Sequence, residues 1–95
     1  MVVGTLELQI RLDGCHNLKD KRRILRSLID RCRNDYRVAI AEVDDLELWN
    51  AASIGAACVS NNAVVVESTL QRVVDCAESF AEIEVECVSR EIQRR

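Results

Sequence analysis

Lys19, Lys21, Arg22, Arg23, Arg26 and Arg33 crowd into a span of 15 residues. At about 100° per residue on a helix, Lys19, Arg22, Arg23, Arg26, Asp30 and Arg33 share one stripe about 100° wide. Arg22, Arg23 and Arg26 are spaced to repel one another, and only Asp30 stands at i+4 to relieve Arg26. Cations gathered in this way suit an anion such as a phosphate ester or a nucleic-acid backbone. A solvated outer helix face has the same composition, and both readings stand at this point. The segment before the stripe adds to the first reading. Gly14 permits close backbone approach, a helix N-terminus offers free N–H groups and a positive dipole end, and Lys19 and Lys21 are within reach. Asp13 and Asp20 compete for the same donors.

The remaining reactive residues form weaker sets. Cys15-His16 places a nucleophile beside a base, but neighbours in an extended loop point apart, so adjacency is not a dyad. A tyrosine-phosphatase-type loop requires arginine where Lys21 follows Cys15, and the acylphosphatase phosphate loop has no counterpart between Asp13 and Lys19. The sole histidine with one cysteine cannot hold a metal. Glu42, Asp44, Asp45 and Glu47 can be read as a magnesium or acid–base group, but charged turns between strands look the same, and the turn reading is preferred. Trp49, the only tryptophan, stands next to that turn and is expected to anchor a hairpin or an interface, with the structural role favoured. The five cysteines include no Cys-x-x-Cys pair. They read as small buried hydrophobes in a reducing cytoplasm, and no cofactor is expected.

Periodicity supplies the elements that position these residues. Gly4, Leu6, Leu8, Ile10 and Leu12 alternate with Thr5, Glu7, Gln9 and Arg11, the pattern of a half-buried strand over residues 2–12. Asp13–Asn17 breaks it as a loop, and Asn17 with Asp20 forms a variant capping box. Ile24, Leu25, Leu28, Ile29 and Cys32 then predict a helix running to about Asn34, each fully buried aliphatic contributing roughly 1.5–3 kcal/mol. A second strand is expected over Tyr36–Val43, a turn at residues 44–47 and a third strand over Trp49–Val59. A second helix, capped by Ser60 or Asn61, buries Ala63, Val66, Leu70, Val73, Val74 and Ala77. Ile83-Val85-Cys87 alternates with Glu82-Glu84-Glu86 in a last strand over residues 82–92. The order β-α-β-β-α-β predicts an α+β, ferredoxin-like (split βαβ) domain covering residues 1–95. Two helices lie on one face of a four-stranded antiparallel sheet in the order 4-1-3-2.

Ninety-five residues suffice for one small domain, with 48% hydrophobic and 31% charged residues and no proline. No apolar run approaches the ~20 residues of a membrane helix, and the alternating N-terminus does not read as a signal peptide. The net charge of −3 conceals a division: residues 11–37 carry nine Lys/Arg against four Asp/Glu, the remainder four against twelve. On the sheet face away from the helices, strands 1 and 4 present Glu7, Gln9, Glu82, Glu84 and Glu86. Strands 2 and 3 present small apolar residues drawn from Ala39, Ala41, Val43, Ala51, Ser53, Gly55, Ala57 and Val59. Both faces of strand 3 are apolar, which leaves its inward phase open. Such a patch favours a homodimer through strands 2 and 3. RNA recognition motifs stack bases on sheet aromatics. Strands 1 and 3 have none, so contact with RNA is expected through the first helix, by phosphates.

Over nearly its whole length the chain resembles the YlxP-like family of small bacterial proteins, a domain of unknown function. The matching residues are His16-Asn17-Leu18-Lys19-Asp20-Lys21-Arg22, where the family usually has Ser at 17, then Ala41-Glu42-Val43 with Glu47-Leu48-Trp49, and Ser60-Asn61. Leu46 stands where glutamine is common, and Asn50-Ala51 where Gln-Arg is common. The resemblance implies a ferredoxin-like fold without an established catalytic activity, and a place among translation-initiation and ribosome-maturation genes. It leaves two expectations. One is a non-catalytic RNA- or ribosomal-subunit-associated protein binding phosphates through Lys19, Lys21, Arg22, Arg23, Arg26 and Arg33. The other is a homodimeric protein-interaction module with no nucleic-acid role. A phosphate-handling enzyme at Gly14–Lys19 lacks a coherent catalytic set.

Overall fold

The alternating N-terminal segment becomes the strand on which the sheet is built. In the computed structural model, which describes residues 1–95, β1 (Val2–Leu12) buries Val2, Leu6, Leu8, Ile10 and Leu12 on one side. It pairs antiparallel with both β3 (Ala51–Ser60) and β4 (Ile83–Arg94), while β2 (Ala39–Asp44) pairs with β3 alone. The sheet order is β2-β3-β1-β4, which read from the other edge is 4-1-3-2. α1 (Leu18–Tyr36) and α2 (Ala63–Glu78) bury their apolar stripes in the same 22-residue core as the inward side of β1. The chain is α+β, with two helices over one face of a four-stranded antiparallel sheet.

Register resolves the phase of β3. Ala52, Ile54 and Ala56 lie opposite Ile10, Leu8 and Leu6 and turn toward the helices. Ser53, Gly55, Ala57 and Val59 share the open face with Gln9, Glu7, Thr5 and Val3. Gly4 lies on the helix side, where a Cβ would stand 2.3 Å from Val66 Cγ1 and 3.0 Å from Leu70 Cδ1. Its missing side chain is what lets α2 approach the sheet.

Several boundaries depart from the sequence expectation. α1 continues to Tyr36, because Tyr36 repeats the apolar stripe one turn beyond Cys32 and packs against the core. Arg37 then ends the helix in the left-handed region (φ 54°), a position glycine usually fills. β2 therefore starts at Ala39 rather than Tyr36, and β3 starts at Ala51, leaving Trp49 in the loop. Ser60 stays in β3 opposite Val2, so the cap of α2 moves to Asn62, whose Oδ1 accepts the Val64 N–H at 2.9 Å. In β4 a bulge sets Val85 opposite Ile10 but Cys87 opposite Gln9. The extra residue flips the alternation, and Cys87 comes out on the open face, exposed.

The largest departure is Lys21, expected at the phosphate-binding face and found 1% exposed. Its ammonium donates to the carbonyls of Asp45 at 2.8 Å and Leu48 at 2.5 Å, and stands 2.7 Å from Glu42 Oε2. Lys21 projects from the buried side of α1 together with Leu25 and Leu28, so it belongs to the core and not to the cationic stripe. Two of its protons go to carbonyls and a carboxylate stands against the charge, which lets it be buried at tolerable cost. The interaction ties α1 to β2 and to the loop that follows it.

Gly4→Ala is expected to destabilise the fold by about 1–3 kcal/mol through overpacking against Val66. A thermal melt matching that of the wild type would show that α2 can retreat freely. Lys21→Met leaves Glu42 without its counter-charge and two carbonyls without their donor, and is expected to cost about 3 kcal/mol, or about 15 °C in Tm for a domain of this size. Lys21→Met/Glu42→Leu should regain most of that loss in the same melts; equal Tm values for Lys21→Met and wild type would refute the role of the ion pair.

Candidate phosphate-binding face of the first helix

α1 forms where its apolar spacing dictates, and Asn17 fixes its start by accepting the Asp20 N–H at 2.9 Å. Burying Ile24, Leu25, Leu28 and Cys32 against the sheet rotates the opposite stripe outward. Lys19, Arg22, Arg23 and Arg26 are exposed there. With Asp20, Ser27 and Asp30 they line an open cleft of about 580 Å³ that no hydrophobic side chain enters. The ion pairs of the molecule join Arg11 to Asp13, Glu84 and Glu86, and Lys21 to Glu42. None engages Lys19, Arg22, Arg23 or Arg26, so four cations face water without a carboxylate partner.

Arg33 stands two turns further along. Its Nη2 donates to the Ile40 carbonyl at 3.0 Å, covering part of the free edge of β2. With Arg22 and Arg26 it also borders a shallow groove between α1 and that edge, beside Ala41 and Glu42. Of the six cations expected to act together, the structure gathers four, leaves the fifth partly committed at the sheet edge and buries the sixth.

The other sets do not converge. Cys15 is buried in the core while His16 faces solvent. Burial, aided by Asp20, pushes the Cys15 thiol above its ordinary range, the reverse of what a nucleophile needs. Burial first, then its neighbour Cys76, pushes Cys32 up to about 12. Gly14 adopts a positive φ of 78°, which favours glycine, with open space around its Cα. The acidic residues of the β2–β3 region disperse. Glu42 pairs with Lys21, whereas Asp45 Oδ2 lies 3.2 Å from the Ser53 hydroxyl, which donates to Gln9 Oε1 at 2.8 Å. No three His, Cys, Asp or Glu side chains come together as a metal site.

Trp49, expected as a structural anchor, is 45% exposed and lies outside the core, flanked by exposed Leu46 and Leu48. Its isolation as the single tryptophan, set between a charged turn and a strand, is the available sequence signal. What the sequence conceals is the lysine that carries this loop to α1.

The model of a family described as a protein of unknown function (DUF503) matches residues 3–90. An uncharacterized protein, YlxP, of Bacillus subtilis (strain 168) is 35% identical over 83 residues, covering 87% of this chain and 90% of that one. Among solved structures, Rv0793 from Mycobacterium tuberculosis aligns with a TM-score of 0.55 at 12% identity, over 100% of this chain and 95% of that one. The de novo designed protein Foldit4 aligns with a TM-score of 0.55 at 11% identity, over 98% of each chain. These structural likenesses speak to the fold. The matching residues of α1 and of the β2–β3 loop lie within the span of the family model, and on that match and the YlxP identity the chain belongs to the YlxP-like DUF503 family.

Proposed function

We propose that this protein is a non-catalytic, cytoplasmic accessory factor of RNA or of a ribosomal subunit, built on a ferredoxin-like domain, that binds phosphates through the outer face of α1. The observation that carries the reading is the set of four exposed cations, Lys19, Arg22, Arg23 and Arg26, without ion-pair partners in a cleft lined only by charged and polar residues. Like charges one turn apart destabilise a helix by a few tenths of a kcal/mol per pair. A bound polyanion relieves that repulsion and releases counterions. The open sheet face is acidic on its β1 and β4 side, with Glu7, Glu84, Glu86 and Glu91 exposed, so an incoming polyanion is steered toward the helix layer.

With about four phosphates engaged, log K for a single-stranded RNA is expected to fall with log salt at a slope near −3, about −0.7 per contact. Filter binding across a salt series reads that slope. Arg22→Glu/Arg23→Glu/Arg26→Glu should lose it together with more than tenfold in affinity. Equal, feeble binding by variant and wild type at low salt refutes the reading.

A second reading, a homodimer joined through the open side of β2 and β3, is favoured by a groove of about 850 Å³ across the sheet, where Ala39, Ala41, Val43, Gly55 and Ala57 stand beside Thr5, Glu7, Ser89 and Glu91. Strands of six and ten residues offer roughly 250 Å² in plan, against ~800 Å² per partner in a standard stable interface, so the association is expected to be micromolar or weaker. Sedimentation equilibrium is expected to show this dimer and its loss in Ala57→Glu. A monomer at millimolar concentration removes the second reading and leaves the first intact.

A further inference from the structure

The one well-exposed aromatic of the molecule adds to the phosphate-binding reading, and the role assigned to it rests on that reading. Trp49 leaves 45% of its surface in water, although burying an aromatic side chain is among the larger gains available to a small domain. Nor is it a loose residue that happens to point outward. Its loop is pinned on both sides: Lys21 Nζ holds the carbonyls of Asp45 and Leu48, the Leu48 N–H closes on the Asp45 carbonyl at 3.1 Å, and the Leu12 N–H holds the Asn50 carbonyl at 2.9 Å. The buried lysine that makes this clamp is the immediate neighbour of Arg22. The tryptophan is therefore presented on fixed backbone beside the Lys21–Glu42 contact, and Glu42 borders the groove that Arg22 and Arg26 line.

We infer that Trp49 is a base-stacking platform for single-stranded RNA whose backbone follows Lys19, Arg22, Arg23 and Arg26. A cationic track combined with an aromatic side chain is the usual composition of single-strand sites, because every base has a π-face and every nucleotide a phosphate. Arg22 and Arg26 are one helical turn apart, about 6 Å along the axis, close to the separation of successive phosphates on one strand. Duplex RNA can meet the cations, but its bases are stacked within the helix and out of reach of Trp49. The flanking Leu46 and Leu48 give the platform an apolar rim.

Because Trp49 is the only tryptophan, its fluorescence reports on this site alone. The test titrates the full chain with a 12-nucleotide oligouridylate and with an RNA duplex of equal length. Emission and the anisotropy of end-labelled RNA are both followed, and folding of each variant is checked by circular dichroism. The single strand is expected to quench Trp49 in step with binding, and the duplex to bind without quenching. Trp49→Ala should weaken single-strand binding about ten- to hundredfold while leaving duplex affinity unchanged, and Trp49→Phe should restore most of the loss. Salt-dependent binding of the single strand with no quenching and wild-type affinity in Trp49→Ala overturns this inference and spares the phosphate-binding reading. Absence of binding to both RNAs overturns that reading and the inference with it. Emission that changes with protein concentration alone assigns the loop to self-association and overturns the stacking role.

Discussion

Two helices can cover only one side of a four-stranded sheet, and α1 and α2 lie on the same side. The covered side takes nearly all the large aliphatic residues: Leu6, Leu8 and Ile10 from β1, Ile54 from β3, and the inward stripes of α1 and α2. The uncovered side must survive in water, and the two halves of the sheet solve this differently. β1 and β4 place charged and amide side chains there. β2 and β3 use alanine, glycine and serine, which expose little apolar area per residue. Ser53 is buried even on this side, because Gln9 and the Asp45 loop close over it.

Close packing on the covered side depends on an absence and a charge. The absence is the side chain at Gly4, whose place is taken by Val66. The charge is Lys21, which enters the core boundary only because two loop carbonyls accept its protons and the Glu42 carboxylate stands against it. Ion pairs at the surface, such as those of Arg11 with Asp13 and Glu86, are half exposed and worth little. A buried lysine is different. It adds little net stability over a well-packed apolar pair, but it fixes geometry, since any other placement leaves donors or acceptors unmatched. In this molecule the geometry it fixes is the position of the β2–β3 loop against α1.

That connection gives the charge division a spatial meaning. The cations of α1 look away from the sheet, and the carboxylates of β1 and β4 look out from the opposite side, so the molecule is polarised across its thickness. The lysine clamp ties the loop that carries the sole tryptophan to the helix that bears the cations. Neither feature is evident in the net charge, which is small and negative.

Periodicity alone determined the element order and the inward faces of β1, α1 and α2, because alternation and the 3.6-residue stripe report which side of an element is buried, and the strand order followed from matching that element order to the split βαβ arrangement. It also determined that Lys19, Arg22, Arg23 and Arg26 share an outer face. Tertiary structure decided what depends on contacts distant in sequence. Lys21 sits one residue from the cationic stripe, and its burial required knowing that Glu42 and the Leu48 carbonyl would meet it from another element. The bulge that turned Cys87 outward arises between β1 and β4, far apart along the chain, and has no local signature in Glu84–Val88. The phase of β3 was ambiguous because both of its faces are apolar, and only pairing with β1 settled it. Local sequence encodes the periodicity of an element. Which neighbour meets each face, and which buried donor finds which acceptor, is settled only when the elements pack.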